Sequence, residues 1–426
     1  MINGFFIAAL IGILVVEAVD ITGILLNLRA LSPEVPVEFA DVYDAATYRR
    51  SQEYARARTR LGIVSTLFDL AVLLVFWLVG GFGWLDGVVR SMGAGPVWTG
   101  LVFLIILFAA KSILGIPFGI YSTFVLEARF GFNRTTAGTF VLDFLKGTMI
   151  SVVIGVPLII AFLALFEYAG WPAWIYALLA AVAFSFLMQF LAPRLILPLF
   201  NKFTPLEDGE LKDAILAYAE KARFPVKELY SVDASRRSTK GNAYFTGFGK
   251  SKRIALFDTL IKRHTVGELV GVLAHEIGHF KKRHVLIGTV MSAVETALFL
   301  GLFSVFTKKA GLFAAFDVDA ASFYAGVVFV SLLLRPLQYV LSVAGAALSR
   351  RHERQSDRFA SETTGRPEDL AAALKRLSKD NLNNLTPHPV WVFLKYSHPP
   401  TLQRLRALAP EGVTVVPLSE VSTAEK

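Results

Sequence analysis

Apolar positions along the chain gather into seven long runs, and polar or charged segments separate them. The runs lie near residues 3–28, 62–85, 98–122, 148–169, 172–199, 285–307 and 321–346. A helix needs about 20 apolar residues to cross a bilayer, so each run is long enough for one span. The pattern predicts a mainly α-helical, polytopic membrane protein. No basic leader with a small-residue cleavage site accompanies the first run, which is expected to remain as a span.

The connections between the runs differ in their content of lysine and arginine. Four segments are rich in both: 29–61, 123–147, 200–284 and the tail after residue 346. Four are poor: the N-terminus, 86–97, 170–171 and 308–320. The positive-inside rule then places the 200–284 segment and the C-terminal segment on the cytoplasmic side of a cell (inner) membrane. The net charge of +9 has the same explanation; no nucleic-acid-binding motif accompanies it, so nucleic acid is not an expected partner.

Five charged side chains fall inside the apolar runs: Glu17, Asp20, Asp69, Lys111 and Glu295. A charge at such depth is costly unless it faces a partner or water. Taken singly, each is explained by an internal ion pair or by a position near a helix end. Taken together, they indicate a hydrated interior.

The polar segment between the fifth and sixth runs has its own pattern of elements. Residues 211–223 have helical periodicity, 228–234 read as a strand, and 242–249 and 253–259 read as the two strands of a hairpin. Thr265 and Glu268 have the spacing of a capping box, which predicts that a helix begins there.

That predicted helix contains His275-Glu276-Ile277-Gly278-His279. Two histidines four residues apart share one helical face, so both imidazoles can reach one tetrahedral zinc ion. Glu276 lies beside them, where a carboxylate can accept a proton from a water at the metal. The chain has no cysteine, so any metal must be held by His, Asp or Glu. The alternative is a surface helix with coincidental histidines, but the apolar residues before His275 favour a core helix.

A catalytic zinc generally has three protein ligands and one open position, so the third ligand must come from another segment. Glu353 and Asp357 lie four residues apart after the last apolar run and would share a helical face. One can bind the metal while the other accepts the free N–H of a ligand histidine. A solvated helix face at 350–354 is the alternative, and Glu295 is a rival ligand by residue type.

Several further stretches together resemble the type I CAAX prenyl proteases, a family of integral-membrane zinc metallopeptidases, and their bacterial homologues. These stretches are the segment 235–260 before the zinc helix, Arg335-Pro336-Leu337 with Ser349-Arg350 and Glu353 to Asp357, the closing motif 396–405 that begins Tyr-Ser-His-Pro-Pro, and Glu127 through Lys146 with Phe130-Gly131-Phe132-Asn133. The resemblance covers nearly the whole chain. It implies seven spans that enclose a large hydrated chamber, with a small α/β, gluzincin-like metallopeptidase element attached.

The resemblance also implies roles for individual residues. His275, His279 and Glu353 would bind one Zn²⁺ per chain, Glu276 would be the catalytic base, and Asp357 would orient a ligand.

Further implied roles concern the substrate. His398, together with Tyr396, would stabilise the oxyanion of the transition state. Asn242 and Ala243 would belong to an edge strand that binds an extended peptide through its backbone. The remaining histidines are expected to be structural or solvated: His264, His284, His352 and His388.

The chain departs from the family pattern at two places. Where many members have His-Ser before the Asn-Ala pair, this chain has Lys240-Gly241, a difference that bears on substrate preference. Ser356 replaces a small apolar residue before Asp357, which is expected to matter little. The C-terminus has no ER-retrieval signal, which fits a bacterial plasma membrane.

The chain is accordingly divided into a five-span membrane region (1–199), a metallopeptidase segment (200–284), two further spans (285–346), a segment that completes the zinc site (347–410) and a polar tail (411–426). The predicted function is a zinc metalloendopeptidase that resembles enzymes trimming C-terminal tripeptides from prenylated proteins. Its expected partners are a peptide or protein substrate and the lipid bilayer. The alternatives are a zinc protease for membrane-protein quality control and a non-catalytic transporter or scaffold.

Overall fold

The computed structural model of the protein describes residues 2–246 and 252–409. Within these ranges the α-helices are α1 (Gly4–Arg29), α2 (Ala45–Leu78), α3 (Gly81–Ser91), α4 (Pro96–Ile120), α5 (Ala137–Tyr168), α6 (Ala173–Leu191), α7 (Leu197–Phe200), α8 (Glu210–Lys221), α9 (Asp258–Ile261), α10 (Val266–Lys281), α11 (His284–Phe306), α12 (Ala310–Ala314), α13 (Phe323–Leu333), α14 (Arg335–Thr364), α15 (Pro367–Asp380), α16 (Pro389–Lys395) and α17 (Thr401–Leu408). The strands are β1 (Phe203–Pro205), β2 (Val226–Val232), β3 (Ala243–Thr246) and β4 (Lys252–Phe257). Two π-helical segments, Tyr121–Glu127 and Ala192–Ile196, continue α4 and α6.

Six helical segments of the described chain are long and apolar enough to cross a membrane. They are α1, α2, α4 with its π-helical segment, α5, α6 through α7, and α11. The pair formed by α13 and α14 is a seventh candidate, but it is bent by 61°. The prediction of a polytopic helical protein is confirmed, and the last predicted span is a broken helix instead of a straight one.

Pro336 explains the bend between α13 and α14. Proline lacks a backbone N–H, and its ring clashes with the carbonyl four residues earlier, so a helix that reaches it kinks or breaks. Helix α1 packs closely at this point, because a Cβ atom on Gly12 would lie only 2.6 Å from Pro336 Cγ. Glu17 of α1 also forms an ion pair with Arg335. Beyond the bend, α14 runs on to pack against α10.

Four of the five charged residues within the predicted spans have polar partners. The contacts are Glu17 with Arg335, Asp69 with Lys111, and Asp20 with Tyr339 and Lys395. Glu295 instead lines a cavity of about 560 Å³ between α11 and α14. The internal ion pair is thus the explanation for most of these charges.

The membrane region has an aromatic core near the ends of its helices. Trp77 is fully buried and stacks on Phe316, with ring centroids 4.5 Å apart. Phe316 in turn stacks on Phe329 at 4.1 Å. The indole N–H of Trp77 donates to the carbonyl of Ala315 at 2.9 Å, so the one polar atom of this ring is satisfied. These contacts hold α2, α13 and the segment after α12 together.

A four-stranded sheet in the order β1-β2-β4-β3 lies beside the membrane region. The predicted helix 211–223 and strand 228–234 correspond to α8 and β2. The predicted hairpin pairs β3 antiparallel with β4, while its turn falls at 247–251, outside the described residues. Strand β1 and the parallel pairing of β2 with β4 were not predicted. Strand β3 forms one edge of the sheet.

Helix α10 is a core helix of the polar region. Its residues Leu273 and Ile277 are buried in one cluster with Ile254 and Leu256 of β4 and Leu370 of α15. The interpretation of α10 as a surface helix is therefore wrong. This packing fixes α10 between the sheet and the two helices α14 and α15.

Candidate metal centre

Helix α10 presents two imidazoles to one another. Its start is a reciprocal capping box, in which Thr265 Oγ1 accepts a hydrogen bond from the Glu268 N–H and Glu268 Oε2 accepts one from the Thr265 N–H. The predicted helix start is thus confirmed. One turn separates His275 and His279, whose Nε2 atoms lie 3.1 Å apart. Two nitrogen atoms at this distance suit a shared cation.

Helix α14 brings Glu353 to the same point. Glu353 Oε1 lies 3.2 Å from His279 Nε2, and Glu353 Oε2 lies 3.3 Å from His275 Nε2. One ligand atom from each of these three residues lies within 4.8 Å of the other two. The buried Oε2 atom accepts no hydrogen bond from any described residue. The donor set and this unsatisfied oxygen fit a zinc ion with two His ligands and one Glu ligand.

Close packing of α10 on α14 makes this approach possible. A Cβ atom on Gly278 would lie 3.0 Å from the Cα atom of Ser356, so only glycine fits here without displacing backbone. Ser356 is fully buried at the contact. The glycine within His-Glu-x-x-His therefore sets how near Glu353 comes to the two histidines.

Asp357 and Arg404 hold His275 in place. Asp357 Oδ1 lies 2.8 Å from His275 Nδ1, which fixes Nδ1 as the protonated nitrogen and leaves Nε2 free to bind a metal. Arg404 donates to both Asp357 carboxylate oxygens, from Nε at 2.8 Å and from Nη2 at 2.6 Å. Burial tends to lower the pKa of His275, but Asp357 and Glu353 outweigh it and raise the value to about 9. The site therefore stabilises positive charge.

His284 makes the corresponding contact to His279. The two Nδ1 atoms lie 3.1 Å apart, and His284 Nε2 lies 2.9 Å from Gln355 Oε1. The amide oxygen accepts, so His284 Nε2 carries the proton and its Nδ1 accepts from His279 Nδ1–H. His279 Nε2 is then free for a metal. Nothing in the sequence indicated a contact between His284 and His279. The chain turns at Arg283, whose φ is 59°, so the two histidines lie on different helices and helical spacing does not relate them.

Glu276 faces two cavities that meet at these side chains. One has a volume of about 850 Å³ and is also lined by residues of α2, α15 and the closing segment. The other is the 560 Å³ cavity that contains Glu295, which is not part of the metal-binding group. Burial raises the pKa of Glu276, and the neighbouring His275 and His279 act in the opposite direction. A carboxylate with increased proton affinity suits a general base.

The closing segment brings His398 and Tyr396 to the larger cavity. His398 Nε2 lies 3.2 Å from Glu353 Oε1, and its Nδ1 lies 2.8 Å from Ser397 Oγ. Burial lowers the pKa of His398 and raises the pKa of Tyr396. The carbonyl of Tyr396 accepts a hydrogen bond from Arg350 at 2.6 Å, which ties the segment to α14. His398 thus lies directly at the candidate metal centre, and Tyr396 lines the cavity beside it.

Asn242 and Ala243 line the same cavity at the sheet edge. The Asn242 carbonyl accepts from the Phe257 N–H of β4 at 3.1 Å. Neighbouring residues of an antiparallel strand direct their backbone groups to opposite sides, so Ala243 presents its own toward the open edge. The Asn242 side-chain oxygen accepts from the Ala243 N–H at 2.9 Å. This edge has the groups needed to pair with an extended peptide.

The fold and this centre define the class of the protein. Helical spans carry a His-Glu-x-x-His helix, and a glutamate from a second helix completes a three-ligand set beside a cavity. That arrangement is an integral-membrane metallopeptidase.

Comparisons with known proteins agree with this class. Residues 25–202 match the family model described as CAAX prenyl protease N-terminal, five membrane helices, and residues 205–411 match peptidase family M48. The CAAX prenyl protease 1 homologue of Arabidopsis thaliana is 34% identical, over 95% of this chain and 97% of that protein. The human homologue is 33% identical, over 88% of each. The crystal structure of S. mikatae Ste24p matches with a TM-score of 0.90 and 31% identity, over 96% of this chain and 99% of the other.

The chain belongs to peptidase family M48, in the group of CAAX prenyl proteases. It is a zinc-dependent metalloendopeptidase of the membrane, and its spans form a chamber as in the Ste24p fold. The resemblance inferred from the sequence motifs is confirmed.

Proposed function

We propose that His275, His279 and Glu353 hold the catalytic zinc and that Glu276 is the general base. The observation that carries this proposal is the convergence of three ligand atoms within 4.8 Å where the 850 Å³ and 560 Å³ cavities meet. Zinc bound there supplies a Lewis acid that polarises the scissile carbonyl and lowers the pKa of the attacking water.

The chain's own groups carry the proton transfers. Glu276 accepts a proton as the water oxygen attacks the carbonyl carbon, and it delivers that proton to the amine when the C–N bond breaks. His398 Nε2 lies 3.2 Å from Glu353 Oε1, at the metal centre, and donates to the developing oxyanion, where a positioned donor acts most strongly. Tyr396, in the same segment, also stabilises the oxyanion. Asp357 orients His275 through Nδ1.

The proposed substrate is the C-terminal segment of a prenylated CAAX protein, from which the enzyme removes a tripeptide. The names of the curated relatives support this substrate class. The peptide binds in extended form along Asn242 and Ala243, and Ala243 directs its backbone groups to the open edge of the sheet. We also propose that the protein lies in the cell membrane with the zinc centre toward the cytoplasm.

A metal assay combined with cleavage-site mapping tests the proposal. Wild-type protein in lipid nanodiscs is expected to contain about one zinc ion per chain and to cut a farnesylated peptide after the prenylated cysteine. Glu276→Gln is expected to keep the zinc and lose about 10²- to 10⁴-fold in turnover. Glu353→Ala is expected to lose the zinc. Glu362→Ala, at an exposed position of α14, is the matched control.

The alternatives give different results. Cleavage of an unfolded membrane protein without cleavage of the prenylated peptide would favour a quality-control protease. Full zinc content in Glu353→Ala would remove Glu353 from the ligand set, and full turnover in Glu276→Gln would remove Glu276 as the base.

The orientation in the membrane has its own test. Because the chain has no cysteine, a single introduced cysteine reports its side of the membrane without background labelling. Glu220→Cys at exposed Glu220 is expected to react with an impermeant thiol reagent only from the cytoplasmic side, and Met92→Cys only from the opposite side. The reverse pattern would overturn the orientation.

A further inference from the structure

Among the described residues, three Lys or Arg side chains line the cavity beside the metal centre: Arg58, Lys395 and Arg404. Two of them are already paired. Lys395 Nζ lies 2.7 Å from Asp20 Oδ2, and Arg404 Nη2 lies 2.6 Å from Asp357 Oδ1. For Arg58, no carboxylate of residues 2–246 or 252–409 lies within ion-pair distance. Of the three, Arg58 is the side chain whose charge is left to bind an anion in the cavity.

The surroundings of Arg58 connect it with the beginning of the edge strand. Arg58 follows Tyr54 by one turn of α2, so both side chains lie on one helical face. Its charge acts on the phenol groups of Tyr54 and Tyr396. The Tyr54 hydroxyl accepts a hydrogen bond from Lys240 Nζ at 2.8 Å and donates one to Glu127 at 2.6 Å. Because Lys240 comes three residues before Ala243, these contacts place Arg58 near the N-terminal end of β3.

The direction of a bound peptide follows from this geometry. A peptide that adds antiparallel to β3 has its C-terminal end opposite the N-terminal end of β3, because antiparallel neighbours run in opposite directions. Residues after the scissile bond then extend from the metal centre past Asn242 toward Arg58. Three extended residues after the scissile bond span about 10 Å. The peptide then ends in a free carboxylate.

We propose that Arg58 binds the C-terminal carboxylate of the substrate, and so selects proteins whose chain ends a few residues after the scissile bond. A guanidinium matches a carboxylate with two parallel N–H donors, and this pairing is both strong and directional. The inference rests on the peptidase function proposed above. It assigns to Arg58 a role in substrate selection, separate from the groups that perform the hydrolysis.

The test compares two farnesylated peptides that differ only at the C-terminus, one a free acid and the other an amide. The wild type is expected to prefer the acid by about 10- to 100-fold in kcat/KM, the range given by one hydrogen-bonded charge pair. In Arg58→Ala this ratio is expected to fall close to 1, through a higher KM for the acid. Arg58→Lys is expected to give an intermediate ratio, since lysine keeps the charge but loses the paired donors.

Arg60→Ala is the matched control. Arg60 lies two residues further along α2 and lines a separate groove with Pro117 and Phe118, so this variant is expected to keep the wild-type ratio. The zinc content of each variant verifies that the metal centre is assembled.

Two results overturn the inference. One is equal cleavage of acid and amide by the wild type; the other is an unchanged ratio in an Arg58→Ala variant that retains zinc. Either result leaves the peptidase function intact. If the wild type cleaves neither peptide, the proposed function fails as well.

Discussion

Removal of the Asp357 carboxylate is expected to weaken zinc binding, although Asp357 is not one of the proposed zinc ligands. Asp357 is 4% exposed and accepts hydrogen bonds from His275 Nδ1 at 2.8 Å and from two nitrogen atoms of Arg404. In Asp357→Ala, His275 loses the group that fixes its ring and its protonated nitrogen. Loss of such an outer partner reduces metal affinity by about 10- to 100-fold, or roughly 1.4 to 2.7 kcal/mol.

The same substitution affects folding, because the ion pair that remains for Arg404 among the described residues is the longer one with Glu353, at 3.7 Å. Breaking a buried ion pair from one side costs about 3 to 5 kcal/mol. Asp357→Asn separates the two effects. The amide oxygen still accepts from His275, while the charge opposite Arg404 is lost. Zinc affinity is therefore expected to fall less in Asp357→Asn than in Asp357→Ala.

The assay is competition for zinc against a chelator of known affinity, with purified protein in detergent and thermal unfolding measured in parallel. Glu362→Ala on the exposed face of α14 controls for a general effect of removing a carboxylate from this helix. Wild-type zinc affinity in folded Asp357→Ala would refute the role of Asp357 in orienting His275. Equal losses in both Asp357 variants would show that charge compensation of Arg404, and not the bond to His275, controls affinity.

Two further predictions concern the packing around the ligands. Gly278→Val is expected to push α14 away from α10, since even a Cβ atom would lie 3.0 Å from Ser356 Cα, and to abolish zinc retention; zinc analysis of monodisperse protein checks this, and full occupancy would contradict it. His284→Phe is expected to lower zinc affinity by up to about 10-fold, because His279 Nδ1 loses its acceptor; the chelator assay measures it, with His264→Phe, away from the metal centre, as control.

Much of this fold follows from local patterns in the sequence. Long apolar runs specify the spans because backbone polar groups in lipid must be satisfied within a helix. The capping box at Thr265 and the four-residue spacing of His275 and His279 concern residues within two turns of one helix. The spacing of Glu353 and Asp357 is equally local, and the two residues do reach different atoms of the same site.

What the sequence does not reveal depends on contacts between distant segments. Arg404 lies 47 residues after Asp357, and no spacing rule connects them. The parallel pairing of β2 with β4 skips an intervening strand, so adjacency in sequence suggests a simpler hairpin. The broken last span has a visible cause in Pro336, but the proline alone specifies neither the 61° angle nor the close contact with Gly12 of α1.

Because α14 begins at the bend at Pro336, a small rotation there moves the far residues of α14 by a larger distance. From Arg335 to Glu353 the helix rises about 27 Å, so a rotation of half a degree at the hinge moves Glu353 by about 0.2 Å, the full tolerance of a zinc–ligand bond. The hinge must therefore be stiff, and the groups that brace it are Gly12 and Glu17 of α1. A transmembrane helix that contributes no metal ligand thus becomes a determinant of how tightly the metal is held.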